Sequence, residues 1–179
     1  LDGREALSFE TLAGVIEARL DGESVTVGLT PPLDFRIGDR IDTSSGELEI
    51  HSVNTGVPHA VLFVDDADAA MVSKLGHEIR HHDHYAPAGT NVNFAQRTGD
   101  SSIRVRTYER GVGETLACGT AAAAAALITA KLDKCGSPVS VRVLGGDDLA
   151  VAFERDGDVF TNVQLTGPAE FVYSGQIDI

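Results

Sequence analysis

Strict alternation of apolar and polar side chains dominates the first thirty residues. It runs over residues 10–20 and again over 24–29, where Val25, Val27 and Leu29 share one face, and Asp21-Gly22 between the two runs suits a tight turn. The pattern predicts a β-hairpin. Pro31-Pro32 can donate nothing to a ladder, and residues 33–46 are polar and broken by Gly38 and Gly46, so this stretch reads as an irregular linker and a domain boundary. Strand patterns resume over 48–53 and 59–64, ahead of a helix predicted from Ala67 to about His81 with Asp65, Asp66 and Asp68 at its N-terminal end.

After a loop at 83–89, short strands are predicted near 91–97 and 102–108. In the second, Ile103, Val105 and Thr107 alternate with Arg104, Arg106 and Tyr108, which gives one core face and one wet face. Cys118-Gly119-Thr120 then opens onto six consecutive alanines, Ala121 to Ala126, followed by Leu127, Ile128 and Ala130. A helix of that composition has almost no polar face and is slim enough for strands to close in around it. Strands at 139–144, 149–153, 159–165 and 171–177 complete the chain, with Gly145-Gly146 and Asp156-Gly157 as turns. The expected fold class is α+β, a curved, barrel-like, mostly antiparallel sheet wrapped around a central helix.

Composition narrows the function. The 179 residues are 42% hydrophobic and 23% charged, as in a packed globular protein, and the formal net charge of −13 is spread along the whole chain. That field repels phosphate backbones and anionic lipid, which argues against nucleic-acid and membrane-surface partners. An anionic substrate needs local donors or a helix N-terminus to overcome it. No apolar run reaches the roughly 18 residues of a spanning helix, and residues 1–10 lack the basic and apolar regions of an export signal, so the expected compartment is the cytoplasm. The two cysteines, Cys118 and Cys135, read as free thiols.

Cys118 is the first candidate for chemistry, because a thiol at a helix start sits where unpaired N–H groups and the helix dipole favour a thiolate. A buried cysteine acting as a small hydrophobe is the plainer alternative. Gly119 tips the balance, since it lets backbone approach a ligand and its N–H, with that of Thr120, can hold a carboxylate beside the thiol. Glu109-Arg110 stand at a strand end, where sites often form, although such a pair on a surface is usually just solvated. His59 at a strand start can orient or relay a proton, or be structural. Asn91 and Asn93 can donate amides to a polar ligand, or serve a turn. His77, His81, His82 and His84 raise a metal site only weakly, as no other pair recurs at ligand spacing, and no metal is expected. Cys135 looks like a residue at a helix C-terminus and is expected to be inert.

Three segments carry a family resemblance: Asn54-Thr55-Gly56-Val57-Pro58-His59-Ala60-Val61, Gly89-Thr90-Asn91-Val92-Asn93-Phe94, and Tyr108-Glu109-Arg110-Gly111-Val112-Gly113-Glu114-Thr115-Leu116-Ala117-Cys118-Gly119-Thr120. Together they resemble diaminopimelate epimerase over nearly the whole chain. The resemblance implies a cofactor-independent isomerase that interconverts LL- and meso-diaminopimelate on the route to lysine and cell wall. It also implies two pseudo-symmetric domains with the substrate between them, and a homodimer. It implies that Cys118 is one of two catalytic cysteines, that Glu109 and His59 assist the thiols, and that Asn91, Glu109, Arg110, Gly119 and Thr120 touch the small diamino dicarboxylate. Three departures stand out. Nothing here matches the family's Cys-Gly-Asn-Gly segment with its other cysteine, Val57 stands where many relatives carry a ligand-binding Asn, and Ala121 replaces a usual Gly. The domain expectation is therefore a hairpin and linker from an incomplete N-terminal domain over 1–46, a complete domain over 47–168, and a strand over 169–179 returning to the N-terminal domain. On that expectation the chain supplies one base and is inactive alone. A proline or hydroxyproline racemase and a non-catalytic half-site that binds an amino acid are the rival readings.

Overall fold

The computed structural model describes residues 5–12, 14–170 and 172–177. In chain order the strands are β1 (Ala6–Thr11), β2 (Gly14–Asp21), β3 (Ser24–Gly28), β4 (Leu33–Thr43), β5 (Gly46–Asn54) and β6 (Pro58–Phe63). Helix α1 (Val72–Arg80) follows, then β7 (Asn91–Gly99), β8 (Ser102–Glu109), β9 (Gly113–Thr115) and helix α2 (Gly119–Lys131), and finally β10 (Val139–Arg142), β11 (Asp148–Asp156) and β12 (Val159–Pro168). They form one sheet in the order β1-β2-β3-β12-β11-β10-β8-β7-β6-β5-β4, with β9 attached to β8. Only β6·β7 and β8·β10 are parallel among the described pairs, each joined by a helical crossover of the kind that parallel neighbours need. Among the described residues β1 and β4 are the first and last strands of that order, so the sheet curves without closing.

The alanine helix occupies the inside of that curve. Ala121 to Ile128 and Ala130 have no exposed surface, and the helix is covered by β5 to β8 and β10 to β12 through Val53, Val61, Val105, Val139, Val141, Val151 and Val163. Methyl side chains keep its radius small, so β-branched residues from many strands reach it at van der Waals distance. The opposite face of β5 to β7 is covered by α1, where Val72, Leu75 and Ile79 pack with Ile50, Ala60, Leu62, Val92 and Phe94. Sandwiched between two helices, β5 and β6 are buried over consecutive residues instead of alternately.

Four expectations from the sequence are corrected. Residues 33–46 are no irregular linker: Leu33–Thr43 is a strand antiparallel to β5. Two register shifts, with Asp34 and Gly38 at positive φ, erase its period of two, and the Gly38 N–H bonds to His51 Nδ1 instead of the ladder. The run over 10–20 is two strands turning back near Gly14, whose φ is +106°. Helix α1 begins at Val72 because Asp66 Oδ1 accepts the N–H groups of Asp68 and Ala69, making a turn where a helix start was expected. Arg106 holds that turn through the carbonyls of Ala67, Asp68 and Ala70. The strand expected over 171–177 is absent from described residues 172–177, where Val172, Tyr173 and Ile177 are exposed; Phe171, Asp178 and Ile179 lie outside the described residues.

One close approach sets the distance of α1 from the sheet. A Cβ on Gly76 would stand 2.5 Å from Tyr108 Cβ, the residue next to Glu109. Gly76→Ala is therefore expected to destabilise by about 1–3 kcal/mol despite the better helix propensity of alanine, read as a lower urea midpoint with an unchanged m-value.

Candidate active site

The N-terminus of α2 is the point where the sequence-singled residues converge. Cys118 is its N-cap, extended at φ −144°, ψ 112°, and no side chain caps the helix. Thr120 Oγ1 lies 3.5 Å from Cys118 Sγ and 3.1 Å from His59 Nε2. Thr55 Oγ1 donates to the Thr120 carbonyl at 3.0 Å, tying the first turn of α2 to the loop after β5. On the other side of His59, Asn93 Nδ2 is 3.2 Å from Nδ1. Here β6 and β7 run parallel with Val61 opposite Asn93, so two segments 34 residues apart meet in the core.

A second group forms beside it. Glu109 Oε1 accepts from Thr115 Oγ1 at 2.6 Å, and the Arg110 N–H donates to Asn91 Oδ1 at 2.9 Å. Asn91, Glu109, Arg110 and Thr120 line an open cavity of about 530 Å³ together with Val57 and Arg80. Arg80 and Arg110 against Glu109 leave one positive charge in excess among the lining residues of a chain of net charge −13, a local reversal of the kind an anionic ligand requires. Arg80 escaped the sequence reading because a helix-end arginine has no distinguishing pattern. His59 lines a different cavity of about 540 Å³, with Arg36, Ser52, Tyr85 and Thr90 among its walls. A third depression of about 460 Å³ crosses β1 to β3 and contains none of the residues singled out from the sequence.

Two electrostatic findings alter the expected chemistry. The Cys118 thiol is pushed above its ordinary pKa, first by burial and further by the Glu109 carboxylate, and the Thr120 hydroxyl and the Ala121 N–H oppose this only in part. The helix start thus does not make a resting thiolate here: desolvation outweighs it. His59, 1% exposed, is pushed down to about 3 by burial and by the positive charge of Arg110, so it is a neutral ring at pH 7. The unfolded chain binds a proton at His59 near pH 6.5 and the folded chain does not. Stability from this group is therefore complete above pH 6.5 and falls by about 1.4 kcal/mol per pH unit as the pH drops towards 3. His51 is shifted in the same direction, so urea midpoints of the parent and of His59→Gln between pH 7 and 4.5 isolate the His59 share; the variant should show the shallower decline.

The other expectations resolve simply. Asn93 is fully buried and faces His59 instead of a ligand. Gly119 has a packing reason, since a Cβ there would stand 2.5 Å from Leu165 Cδ2 on β12. Cys135 lies past the end of α2 instead of in its last turn, with Sγ 3.9 Å from the Ala126 carbonyl. His81, His82 and His84 bond separately, to the His77 carbonyl, the His84 N–H and Asp39. Among the described residues no three His, Cys, Asp or Glu are arranged to hold a metal ion. No helix among them is long and apolar enough to cross a membrane.

Residues 51–172 match the family model of diaminopimelate epimerase. The chain belongs to the diaminopimelate epimerase family. Among curated members it is 44% identical over 174 residues to the diaminopimelate epimerases of Hydrogenobaculum and of Aquifex aeolicus, covering 94% of this chain and 61% of each relative. It thus spans about three fifths of their length. Solved structures of the same fold include a probable proline racemase from Agrobacterium radiobacter (TM-score 0.72, 19% identity, 97% of this chain and 60% of that one). A hydroxyproline epimerase from Agrobacterium vitis is similar too (0.70, 21%, 91% and 56%). So is a phenazine biosynthesis protein of the PhzF family from Bacillus anthracis (TM-score 0.72, 15% identity, 100% of this chain and 70% of that one). These three agree with the expected α+β fold of a curved sheet around a helix.

Proposed function

We propose that this chain forms one side of a cofactor-independent epimerase that interconverts LL- and meso-diaminopimelate, with Cys118 as one of its two proton-transfer groups. The observation that carries the reading is the placement of Cys118 between a hydroxyl, Thr120, and a carboxylate, Glu109, both on residues that line a cavity together with Arg80 and Arg110. The family match supplies the substrate.

In this reading the substrate's α-carboxylate accepts the N–H groups of Gly119 and Thr120 at the start of α2, where the helix dipole favours a carbanion developing on the adjacent carbon. Asn91, Glu109 and Arg110 contact the remaining polar groups. One thiolate removes the α-proton, the C–H electron pair stays on the α-carbon and its carboxylate, and the opposing thiol gives its proton to the other face. A thiol that burial keeps protonated is in the donor state, so Cys118 rests ready to deliver a proton. To run the opposite direction it passes its own proton to Glu109 first. His59 assists as a fixed neutral ring. The second base is supplied by residues outside these 179, with residues 47–168 forming one domain that β4 extends through its pairing with β5, and β1 to β3 belonging to a second. The whole enzyme is a cytoplasmic homodimer.

Proton NMR of LL-diaminopimelate in deuterated buffer under reducing conditions tests this. The complete protein should erase the α-proton signal and produce the meso form, and the 179-residue chain should do neither. Robust exchange by the chain alone would overturn the one-base reading. Exchange of proline in place of diaminopimelate would move the assignment to the racemase branch, and binding without exchange by the complete protein would leave only an amino-acid-binding module.

A further inference from the structure

We propose that Asn93 is a positioning residue that locks the imidazole of His59 as its Nε2–H tautomer and thereby directs the Thr120 hydroxyl proton onto Cys118 Sγ. The proposal builds on the reading of Cys118 as a proton-transfer group.

One atom of the Asn93 amide has no choice of partner. Asn93 Nδ2 lies 2.9 Å from the Ala60 carbonyl, which can only accept, so the amide nitrogen must point there and the amide cannot be flipped. Its oxygen then faces Thr107 Oγ1, 3.1 Å away, which donates to it. The remaining N–H of the same nitrogen is directed at His59 Nδ1 at 3.2 Å. An amide NH₂ cannot accept, so Nδ1 carries the lone pair. An oxygen in this place would accept a proton from Nδ1, whereas the N–H leaves the lone pair on that nitrogen.

A neutral ring with its lone pair on Nδ1 has its proton on Nε2, and that proton goes to Thr120 Oγ1 at 3.1 Å. The ring therefore does not compete for the hydroxyl proton of Thr120. Cys118 Sγ, 3.5 Å away, is the acceptor that remains, and as a thiolate it can do nothing but accept. Donation runs one way through four side chains, from Asn93 to His59 to Thr120 to Cys118. Two features hold it in register: Thr55 anchors the Thr120 carbonyl, and Asn93 is fixed on β7 between β6 and β8. The other groups facing the chain are Arg110, towards His59, and Glu109 and the Ala121 N–H, towards Cys118. With the opposite tautomer, Nε2 would draw the Thr120 proton away and leave the sulfur to burial and to Glu109.

Long-range proton–nitrogen NMR of the 179-residue chain reads the tautomer directly. The expected spectrum has His59 protonated at Nε2 and bare at Nδ1 throughout pH 6–8; a ring protonated at Nδ1 overturns the proposal whatever any variant does. In a Cys135→Ser background, Asn93→Asp presents only acceptors to Nδ1. It should move the ring proton to that nitrogen and slow iodoacetamide alkylation of Cys118 at pH 8 by about fivefold, with the whole pH profile displaced upward. Thr120→Val should slow alkylation by a similar factor, Thr120→Ser should restore the parent rate, and adding Asn93→Asp to Thr120→Val should change nothing more. Additive losses, or a tautomer change without a change in alkylation, would refute the coupling. If Asn93→Asp does not fold, the parent spectrum and the Val and Ser pair at 120 still decide. None of these readouts uses substrate, so a failure of the epimerase reading in the proton-exchange assay stays distinct from a failure here.

Discussion

Cys118→Ala in the complete protein is expected to reduce solvent exchange of the substrate α-proton by about 10²–10⁴-fold, the usual contribution of a positioned acid or base. The thiol is the group at the start of α2 that can take or give a proton to carbon, and the Thr120 hydroxyl and the Glu109 carboxylate both act on its acidity. Substrate affinity should change little, because the N–H groups of Gly119 and Thr120 belong to a backbone held by Thr55 and by the buried body of the helix. The loss therefore belongs in kcat and not in KM. Single-turnover exchange measured by NMR beside equilibrium binding of diaminopimelate checks both halves. A variant that still exchanges at the parent rate would remove Cys118 from the mechanism, and one that loses binding would make it a structural residue.

The second large effect is on folding. Ala124→Leu puts a branched side chain into the middle of α2, where every alanine from 121 to 126 has no exposed surface and strands press in from both flanks. Leucine is nearly as good a helix former as alanine, so propensity is not the issue. The added atoms have no free volume, and the helix cannot shift without leaving strands on its opposite side. The expected cost is about 3 kcal/mol or more, enough to unfold a domain of marginal stability. Ala124→Gly, which only removes a methyl, should cost about 1 kcal/mol. Denaturation midpoints should rank parent, Gly, Leu. A leucine variant as stable as the parent would mean that the sheet can expand around α2.

The features legible in the sequence were those carried by neighbouring residues. An alanine run behind Cys118-Gly119-Thr120 declares a slim buried helix with a thiol at its start, and the Glu109-Arg110 pair follows from a strand whose alternation is unbroken. What escaped depends on partners far along the chain. β4 was hidden because two bulges disrupt its period, and their positions are set by pairing with β5. The start of α1 is set by Arg106 from β8 gripping the turn before it. The protonated resting state of Cys118 follows from burial by strands that no local pattern announces. Asn93 looked like a turn or ligand residue because its partners, Ala60 and Thr107, become neighbours only once β6, β7 and β8 pair.

Placing the reactive group at the tip of α2 ties its dynamics to the most protected part of the molecule. Amide hydrogens in the buried body of α2 are expected to exchange at the free energy of global opening, since seven strands cover it. Cys118, Gly119 and Thr120 are half-buried and Thr120 lines an open cavity, so the helix start stays reachable while its body is held. The neighbouring segment between Arg110 and Ala117 is held as well, by β9, by the Arg106–Glu114 ion pair and by the Gly145 N–H on the Leu116 carbonyl, although Val112 and Leu116 are exposed. The surroundings of Cys118 are in this way fixed from two sides, by a buried helix and by a segment fastened to the sheet.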